Sequence, residues 1–381
     1  MAGLNVASNA RAVDTRKIPR LDFWLVLAAV LLMTSGFMAQ YSEGITRDGG
    51  ANFRKQLLNA VIGIVPFGIF AWVNPRFWQR MAVPIYVVNL LMLMSVLVTG
   101  KAAKGAARWI DVGPLQFQPS ELAKLLIVLT LASFYSARQD RLQQPSTFLL
   151  GLAHAVVPAL LIFKQPHLGA FTVVMVAWFA ISLVAQVPLK YLLGILAAGL
   201  LLVGGVLAVP SLRAKVLDDY QQKRIEGMKS KSDRKGKNWQ TDRAEIAFAV
   251  GGVSGAGFTN GMQKRGHFIP EQHNDFIFTV VGEEGGLVGC TLVLTIFGFF
   301  FYRIFVIMHL ATDPYYRMVA AGIFAVLGFH TFVNIAMVLQ IVPVVGLWLP
   351  FLSYGGTALW LCMACVGMLL NLRRREKPLL F

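Results

Sequence analysis

The chain has 381 residues, 56% of them hydrophobic and only 14% charged, with a formal net charge of +16. Apolar runs of roughly 18 to 22 residues recur along it, each enough for a helix to cross about 30 Å of hydrocarbon, which excludes a soluble globular protein. Strands are excluded as the spanning element, because the runs are continuous where a lipid-facing strand would alternate, and a strand in lipid must close into a barrel.

The expected fold class is therefore all-α, a polytopic membrane protein of about ten transmembrane helices. In chain order the candidate spans are 22–40, 56–74, 81–99, 119–137, 147–163, 168–185, 191–209, 275–302, 318–340 and 356–372. Residues 1–21 read as an N-terminal cytoplasmic tail, 22–372 as a single transmembrane domain and 373–381 as a cytoplasmic C-terminal tail. Arg11, Arg16, Lys17 and Arg20 precede the first span, and Arg373, Arg374, Arg375 and Lys377 follow the last. An even number of spans puts both ends on the positive, cytoplasmic side. The inner connections then carry Arg76, Arg80, Arg138, Arg141, Lys190, Arg303 and Arg317. The short outer ones carry Arg47, Arg54, Lys55, Lys101, Lys104, Arg108 and Lys164, so with the termini the balance is fifteen inside to seven outside. No A-x-A-type cleavage site follows the first apolar run, which reads as a retained span.

One large outer loop, about 211–274, joins the seventh and eighth spans and carries twelve Lys and Arg residues. Loops of this length translocate largely regardless of charge. Its basicity fits anionic lipid head groups or a phosphorylated substrate, with a plainly solvated loop as the alternative; nucleic acid is not expected as a partner on that side.

The outer connections hold most of the informative sequence. "GKAAKGAARWIDVGPLQFQPSELAK", 100–124, is too long for a simple turn. It leads into Glu121 and Lys124, three apart on the first turns of the fourth span and close enough to pair. A charge inside a span costs several kcal/mol unless paired or solvated, so the pair is either a lock between helices or the polar wall of a cavity in which Lys124 meets a phosphate. Pro119 and Ser120 fit a helix start. Glu283 and Glu284, in "GEEGG", point in different directions around a helix and so do not read as a dyad; a Lys or Arg partner is the commoner outcome, a divalent cation the alternative. His330, Asn334 and Gln340 in the ninth span read as interhelical hydrogen-bonding groups. "QIVPVVGLWLPFLSYGG", 340–356, is apolar but broken by Pro343, Gly346, Pro350, Gly355 and Gly356, so it reads as irregular backbone dipping toward the membrane and buried against other spans. Cys290, Cys362 and Cys365 read as small apolar packing residues, since no His cluster completes a zinc site. No tandem repeat, and no matching pair of broken helices, speaks for an inverted-repeat transporter.

"PEQHNDFIF", 270–278, places Glu271, His273 and Asp275 at the mouth of the eighth span. Capping by Asn274 and Asp275 explains one polar residue; it does not explain Glu271 and His273 alongside. A carboxylate at the outer boundary, partly desolvated, also suits a general base acting on a hydroxyl, and the residues leave both readings open.

The blocks "GAARWIDVGPLQFQPSELAKL", "QPHLGAF", "AEIAFAVGG", "PEQHNDFIFTVVGEEGGLVG" and "NIAMVLQIVPVVGLWLPFLSYGGTAL" together resemble the SEDS family of cell-shape, division and sporulation proteins, typified by RodA and FtsW, collinearly over about 22–372. The resemblance implies a ten-helix peptidoglycan glycosyltransferase of the bacterial cytoplasmic (inner) membrane, its active site facing the periplasm or outer side. It polymerises lipid II and works with a class B penicillin-binding protein in the elongation or division machinery. The aspartate of the family's H-x-D-F-I-F motif, proposed as catalytic, falls on Asp275, and the glutamate and lysine lining its central cavity fall on Glu121 and Lys124. Arg108 and Trp109 match its R-W-I block, and Ser353, Tyr354, Gly355 and Gly356 its S-Y-G-G loop. With Glu271 and His273 these are the candidate substrate-binding residues around Asp275. Two departures stand out: Asn274 replaces a common Thr, and His167 replaces the acid of Q-P-D-L-G, so that acid's role does not transfer. "PVVG" and "LPFLSYGG" look somewhat more like the elongation branch.

On this reading Asp275 deprotonates or orients the acceptor GlcNAc 4-hydroxyl, which attacks the anomeric carbon of the donor while undecaprenyl pyrophosphate leaves. A β-1,4 product from an α-linked donor implies inversion without a covalent intermediate. Charge on the leaving oxygen calls for Arg108, Lys124, the basic outer loop or a divalent cation such as magnesium or manganese; Arg108 ranks first because a guanidinium binds phosphate oxygens bidentately. No motif names a cofactor. The rival readings are a lipid II flippase, which predicts polar groups through the whole membrane thickness, and a non-catalytic scaffold for a transpeptidase.

Overall fold

The computed structural model describes residues 21–99, 101–103, 106–112, 115–208, 239–266, 269 and 272–375. All ten expected runs fall on helices: α1 (Phe23–Arg47), α2 (Ala51–Trp72), α4 (Ala82–Thr99), α5 (Pro119–Ser136), α6 (Pro145–Phe163), α7 (Leu168–Val184), α8 (Leu189–Ala208), α11 (Ile277–Leu310), α12 (Pro314–Val338) and α13 (Gly356–Arg375). Short helices α3 (Pro75–Arg80), α9 (Trp239–Gly251) and α10 (Met262–Arg265) lie in the connections. Among the described residues, seven helices are long and apolar enough to cross a membrane by length and composition, and the chain is a multi-pass helical membrane protein.

Local chemistry sets several helix starts. Asp22 accepts a hydrogen bond from the Leu25 amide at 3.0 Å, while Asn74 and Asp313 cap α3 and α12, each followed by a proline at the first helical position. That proline's missing N–H would be an orphan donor there anyway. Between helices, close approach depends on small residues and amides. A Cβ on Gly367 of α13 would come within 2.4 Å of the Phe67 carbonyl on α2, and Asn371 Nδ2 donates to the Phe70 and Val73 carbonyls at 2.8 and 2.6 Å. α5, α12 and α13 are largely buried; α8 is exposed along nearly its whole length, as a lipid-facing helix is.

Two features depart from a purely helical reading. Residues 101–117 contain a three-stranded antiparallel sheet, β1 (Lys101–Ala103), β2 (Ala106–Val112) and β3 (Leu115–Phe117), with Ile110 opposite Phe117 and Val112 opposite Leu115. Its β-branched and aromatic residues suit a pleated surface, and it lies in a connection too short in apolar residues to cross lipid.

The second departure is in α11, which the sequence presents as one unbroken run. Its backbone is non-helical at Gly286 (φ 61°, ψ −157°). The glycine-rich stretch after α9 fills the break. Ala256 and Gly257 amides donate to the Glu283 and Glu284 carbonyls at 2.9 and 3.1 Å, and the Leu287 and Val288 amides donate to the Gly252 and Val253 carbonyls at 2.9 and 3.1 Å. Inserted backbone thus satisfies the groups that the broken ladder exposes, which lipid could not do. Gly255 makes the approach possible: its φ is +81°, and a Cβ there would stand 2.0 Å from the Glu284 carbonyl oxygen. Gly255→Ala is expected to cost about 1–2 kcal/mol for the left-handed backbone alone, with the collision added, lowering the thermal midpoint in detergent. Gly298→Ala on the same helix, where a Cβ meets open space, is the control and should leave the midpoint unchanged or slightly raised, since alanine is the better helix former.

Candidate active site

The polar groups collect at one end of the bundle, where α1 ends and α5 begins. There, residues 272–276 form a turn that leads into α11 and carries Asp275, half-buried. The helix starts at Ile277, with Phe276 at its N-cap position and no side-chain capping bond, so neither Asn274 nor Asp275 caps it. The capping reading falls, because a cap must sit one residue before the first helical residue for its oxygen to reach the free amides. The backbone of the Asp275 turn is held from three sides. Asn334 Nδ2, buried on α12, donates to the Asp275 carbonyl at 2.9 Å; Ser353 Oγ donates to the Asn274 carbonyl at 2.6 Å; the Tyr354 amide donates to the His273 carbonyl at 2.9 Å. Three consecutive carbonyls are thereby pinned, and the Asp275 carboxyl is presented by a fixed turn.

α1 closes the other side. Glu43, buried, pairs with Arg47 at 3.1 Å and lies 3.8 Å from His273 Nδ1, while Arg47 reaches the Ile269 carbonyl at 3.5 Å. The His273 and Tyr354 rings meet edge to face, centroids 5.6 Å apart. Burial and the nearby Asp48 carboxylate raise the Tyr354 phenol above its ordinary value, so it stays protonated at neutral pH.

The segment 339–355 is non-helical, as its prolines and glycines predict, and its backbone is satisfied by side chains from neighbouring helices. Gln40 of α1 donates to the Leu352 carbonyl at 2.5 Å, and Gln56 of α2 donates to the Ser353 carbonyl at 3.4 Å and accepts from the Gly355 amide at 3.2 Å. Ser353 Oγ also accepts from the Leu349 amide at 2.7 Å.

Glu121 and Lys124 pair on α5 as their spacing requires, both carboxylate oxygens lying 2.8 Å from Nζ and both residues 1% exposed. Two further groups complete the cluster. His330 Nε2 is 2.9 Å from Lys124 Nζ, and Trp348 Nε1 donates to Glu121 Oε2 at 2.9 Å. An ammonium only donates, so Nε2 is the unprotonated imidazole nitrogen and Nδ1–H points to the Trp348 carbonyl at 3.3 Å. The Trp348 ring stacks on His330 at 4.0 Å and faces the ammonium at 5.4 Å.

The other expected site residues lie on the sheet, at the α6–α7 turn and in the outer loop. Arg108 on β2 donates from Nε to the Gln165 carbonyl at 3.1 Å and from Nη2 to the Pro166 carbonyl, which ties the sheet to the α6–α7 turn with two of the guanidinium's five N–H donors. Trp109 is half-buried on β2, opposite Lys101. Glu271 lies outside the described residues. His167 is buried near Gln118 and Ser120, with Nδ1 3.4 and 3.5 Å from their side chains. Glu283 accepts from the Gln263 amide at 2.6 Å at the start of α10, and Glu284 binds Lys264, Ser42 Oγ at 2.6 Å and the Thr259 amide at 3.2 Å. The two glutamates therefore staple the outer loop to α1 and α11. Among the described residues no group of three or more His, Cys, Asp or Glu side chains could hold a metal ion. Gln340 lies beyond the end of α12 and donates to the Thr241 carbonyl on α9 at 2.9 Å.

Sequence reasoning missed Trp348 and Glu43 altogether, and treated His330 and Asn334 as generic packing polars. The available signal was their spacing: four apart on one helix, they share a face.

The FtsW/RodA/SpoVE family, described as cell cycle proteins, matches residues 18–378. A probable peptidoglycan glycosyltransferase FtsW of Geobacter sulfurreducens is 34% identical over 377 residues, covering 96% of this chain and 98% of that one. The peptidoglycan glycosyltransferase MrdB of Escherichia coli K12 is 33% identical over 358 residues, covering 93% and 94%. Among solved structures, a chain from a study of how a peptidoglycan synthase complex coordinates polymerization and crosslinking superposes with a TM-score of 0.79 at 29% identity, covering 94% of this chain and 99% of that one. The crystal structure of Thermus thermophilus RodA superposes with a TM-score of 0.70 at 27% identity, covering 93% and 97%. A helical membrane bundle with a pinned aspartate turn at one end, matched along nearly its whole length in sequence and in fold, belongs to the FtsW/RodA/SpoVE family.

Proposed function

We infer that this chain is a peptidoglycan glycosyltransferase that polymerises lipid II, serving elongation and shape or division. Asp275 is its general base. The observation that carries the assignment is the clamp on the Asp275 turn, where Asn334, Ser353 and Tyr354 bind three successive carbonyl groups and so hold one carboxyl in a fixed position at the end of the bundle. A base acts only if it lies within hydrogen-bond reach of the proton it takes, and a turn pinned by its backbone preserves that reach independently of the side chain.

The reaction is an inverting displacement. Asp275 accepts the proton of the acceptor GlcNAc 4-hydroxyl as that oxygen attacks the donor anomeric carbon; the bond to undecaprenyl pyrophosphate breaks and the pyrophosphate departs with the electron pair. The leaving charge is met by cations from the Lys124 region and from the basic outer loop. Ten helices cross the bacterial cytoplasmic membrane with both termini inside, the Asp275 end facing outward, and a class B penicillin-binding protein supplies crosslinking.

Supplying lipid II to the purified protein in detergent, with and without such a partner, tests the reading. Glycan polymer is the expected product, since detergent abolishes any transport signal; lipid II left unpolymerised in both arms would return the chain to a flippase or scaffold.

A further inference from the structure

We propose that His330 and Trp348 are positioning residues that couple the buried Glu121–Lys124 pair to the placement of Asp275. The proposal rests on Asp275 being the base.

The coupling runs through one turn of α12. His330 and Asn334, four residues apart and both fully buried, address two adjacent carbonyls of the non-helical segment: His330 Nδ1–H points to that of Trp348 at 3.3 Å, and Asn334 Nδ2 donates to that of Leu347 at 2.7 Å. Their remaining bonds lead in opposite directions. His330 Nε2 takes Lys124 at 2.9 Å, and Asn334 Nδ2 reaches the Asp275 carbonyl at 2.9 Å. Trp348 closes the circuit with its indole N–H on Glu121 Oε2 at 2.9 Å. The cavity's ion pair and the backbone of the base thus share one dipeptide, Leu347–Trp348, in a segment with no helical ladder of its own.

The contacts also define what substrate must displace. Lys124 is directed at both oxygens of Glu121 and at His330, so an ammonium with three donors has three acceptors already. An anionic phosphate reaching Lys124 replaces at least one of them. Releasing Glu121 or His330 loosens the indole and imidazole that hold the Trp348 side chain and carbonyl. Any shift there moves the Leu347 carbonyl, the second acceptor of the Asn334 amide that holds Asp275. Hydrogen-bond networks of this kind respond as units, not as sums of pairs. The arrangement makes arrival of a phosphate in the cavity and alignment of the base a single event.

The test uses purified full-length protein with its penicillin-binding protein partner and lipid II, comparing turnover at saturating substrate, lipid II affinity and thermal midpoint. His330→Leu, which removes the acceptor for Lys124, is expected to lower turnover about tenfold or more, the size of one lost bond to a charged group, while affinity stays within about threefold. His330→Gln, whose side-chain oxygen again accepts from Lys124, should recover most of that loss. Trp348→Phe keeps the ring and removes only the N–H; it should lower turnover in the same way, and it carries the test where His330→Leu fails to fold. Wild-type turnover in both His330→Leu and Trp348→Phe, a loss confined to affinity, or a His330→Gln no better than His330→Leu at equal midpoint would overturn the coupling. If Asp275→Ala is inactive in the same assay while these variants match wild type, the coupling falls alone; if Asp275→Ala turns over normally, the coupling falls with the base assignment.

Discussion

Asp275→Ala is expected to reduce lipid II polymerisation by about 10² to 10⁴-fold, the usual loss when a general base is removed, with the protein still folded. Folding should survive because the carboxyl caps no helix: α11 begins two residues later without a side-chain cap, and Asn334 holds the Asp275 backbone whatever the side chain. Asp275→Asn should be nearly as inactive, since an amide keeps the shape and cannot take the proton. Asp275→Glu moves the carboxylate outward by one methylene from a pinned turn and should recover only part of the rate. Polymerisation by the alanine variant at near wild-type rate, measured on monodisperse protein, would remove Asp275 from the chemistry.

Lys124→Met is expected to destabilise the protein by about 3–5 kcal/mol, because it leaves the Glu121 carboxylate buried without its cation. Glu121 is 1% exposed and, among the described residues, keeps only the Trp348 indole as a hydrogen-bond donor from outside α5. The double variant Glu121→Gln with Lys124→Met removes both charges together and should regain a large part of that stability, since replacing both partners of a buried pair costs far less than orphaning one. A double variant that melts no higher than Lys124→Met would show that packing, and not the stranded charge, sets the cost. Activity separates from stability in this pair: the double variant should remain poorly active despite its recovered midpoint, because neither charge remains to meet the substrate.

The structure shows why some elements were legible from residue order and others were not. The helices could be read because an apolar run of about 20 residues in lipid has one local solution, in which every backbone group bonds within the segment. The Glu121–Lys124 pair was legible for a similar reason, since a spacing of three on a helix brings two side chains together whatever surrounds them. The break in α11 was not, although Gly285 and Gly286 mark where it can occur. Its existence depends on backbone from residues 252–257 arriving to fill it, and nothing local reports that arrival. The partners of Glu283 and Glu284 were hidden in the same way: Ser42 lies 242 residues before Glu284 in the chain. The chemistry of the Arg108 guanidinium is legible from residue type; that the Gln165 and Pro166 carbonyls take two of its N–H donors is a fact of tertiary packing.

By itself the sequence determined the membrane class, the placement of the helices, the irregular 340–356 segment and the family motifs that single out Asp275, because hydropathy, proline and glycine act over a few residues. Only the tertiary structure decided that Asn334 holds the Asp275 carbonyl, and that Trp348, His330 and Asn334 join that turn to the Glu121–Lys124 pair. Those contacts close across 13 to 227 residues of chain, and a bond of that kind is created when helices pack, not by the order in which residues follow one another.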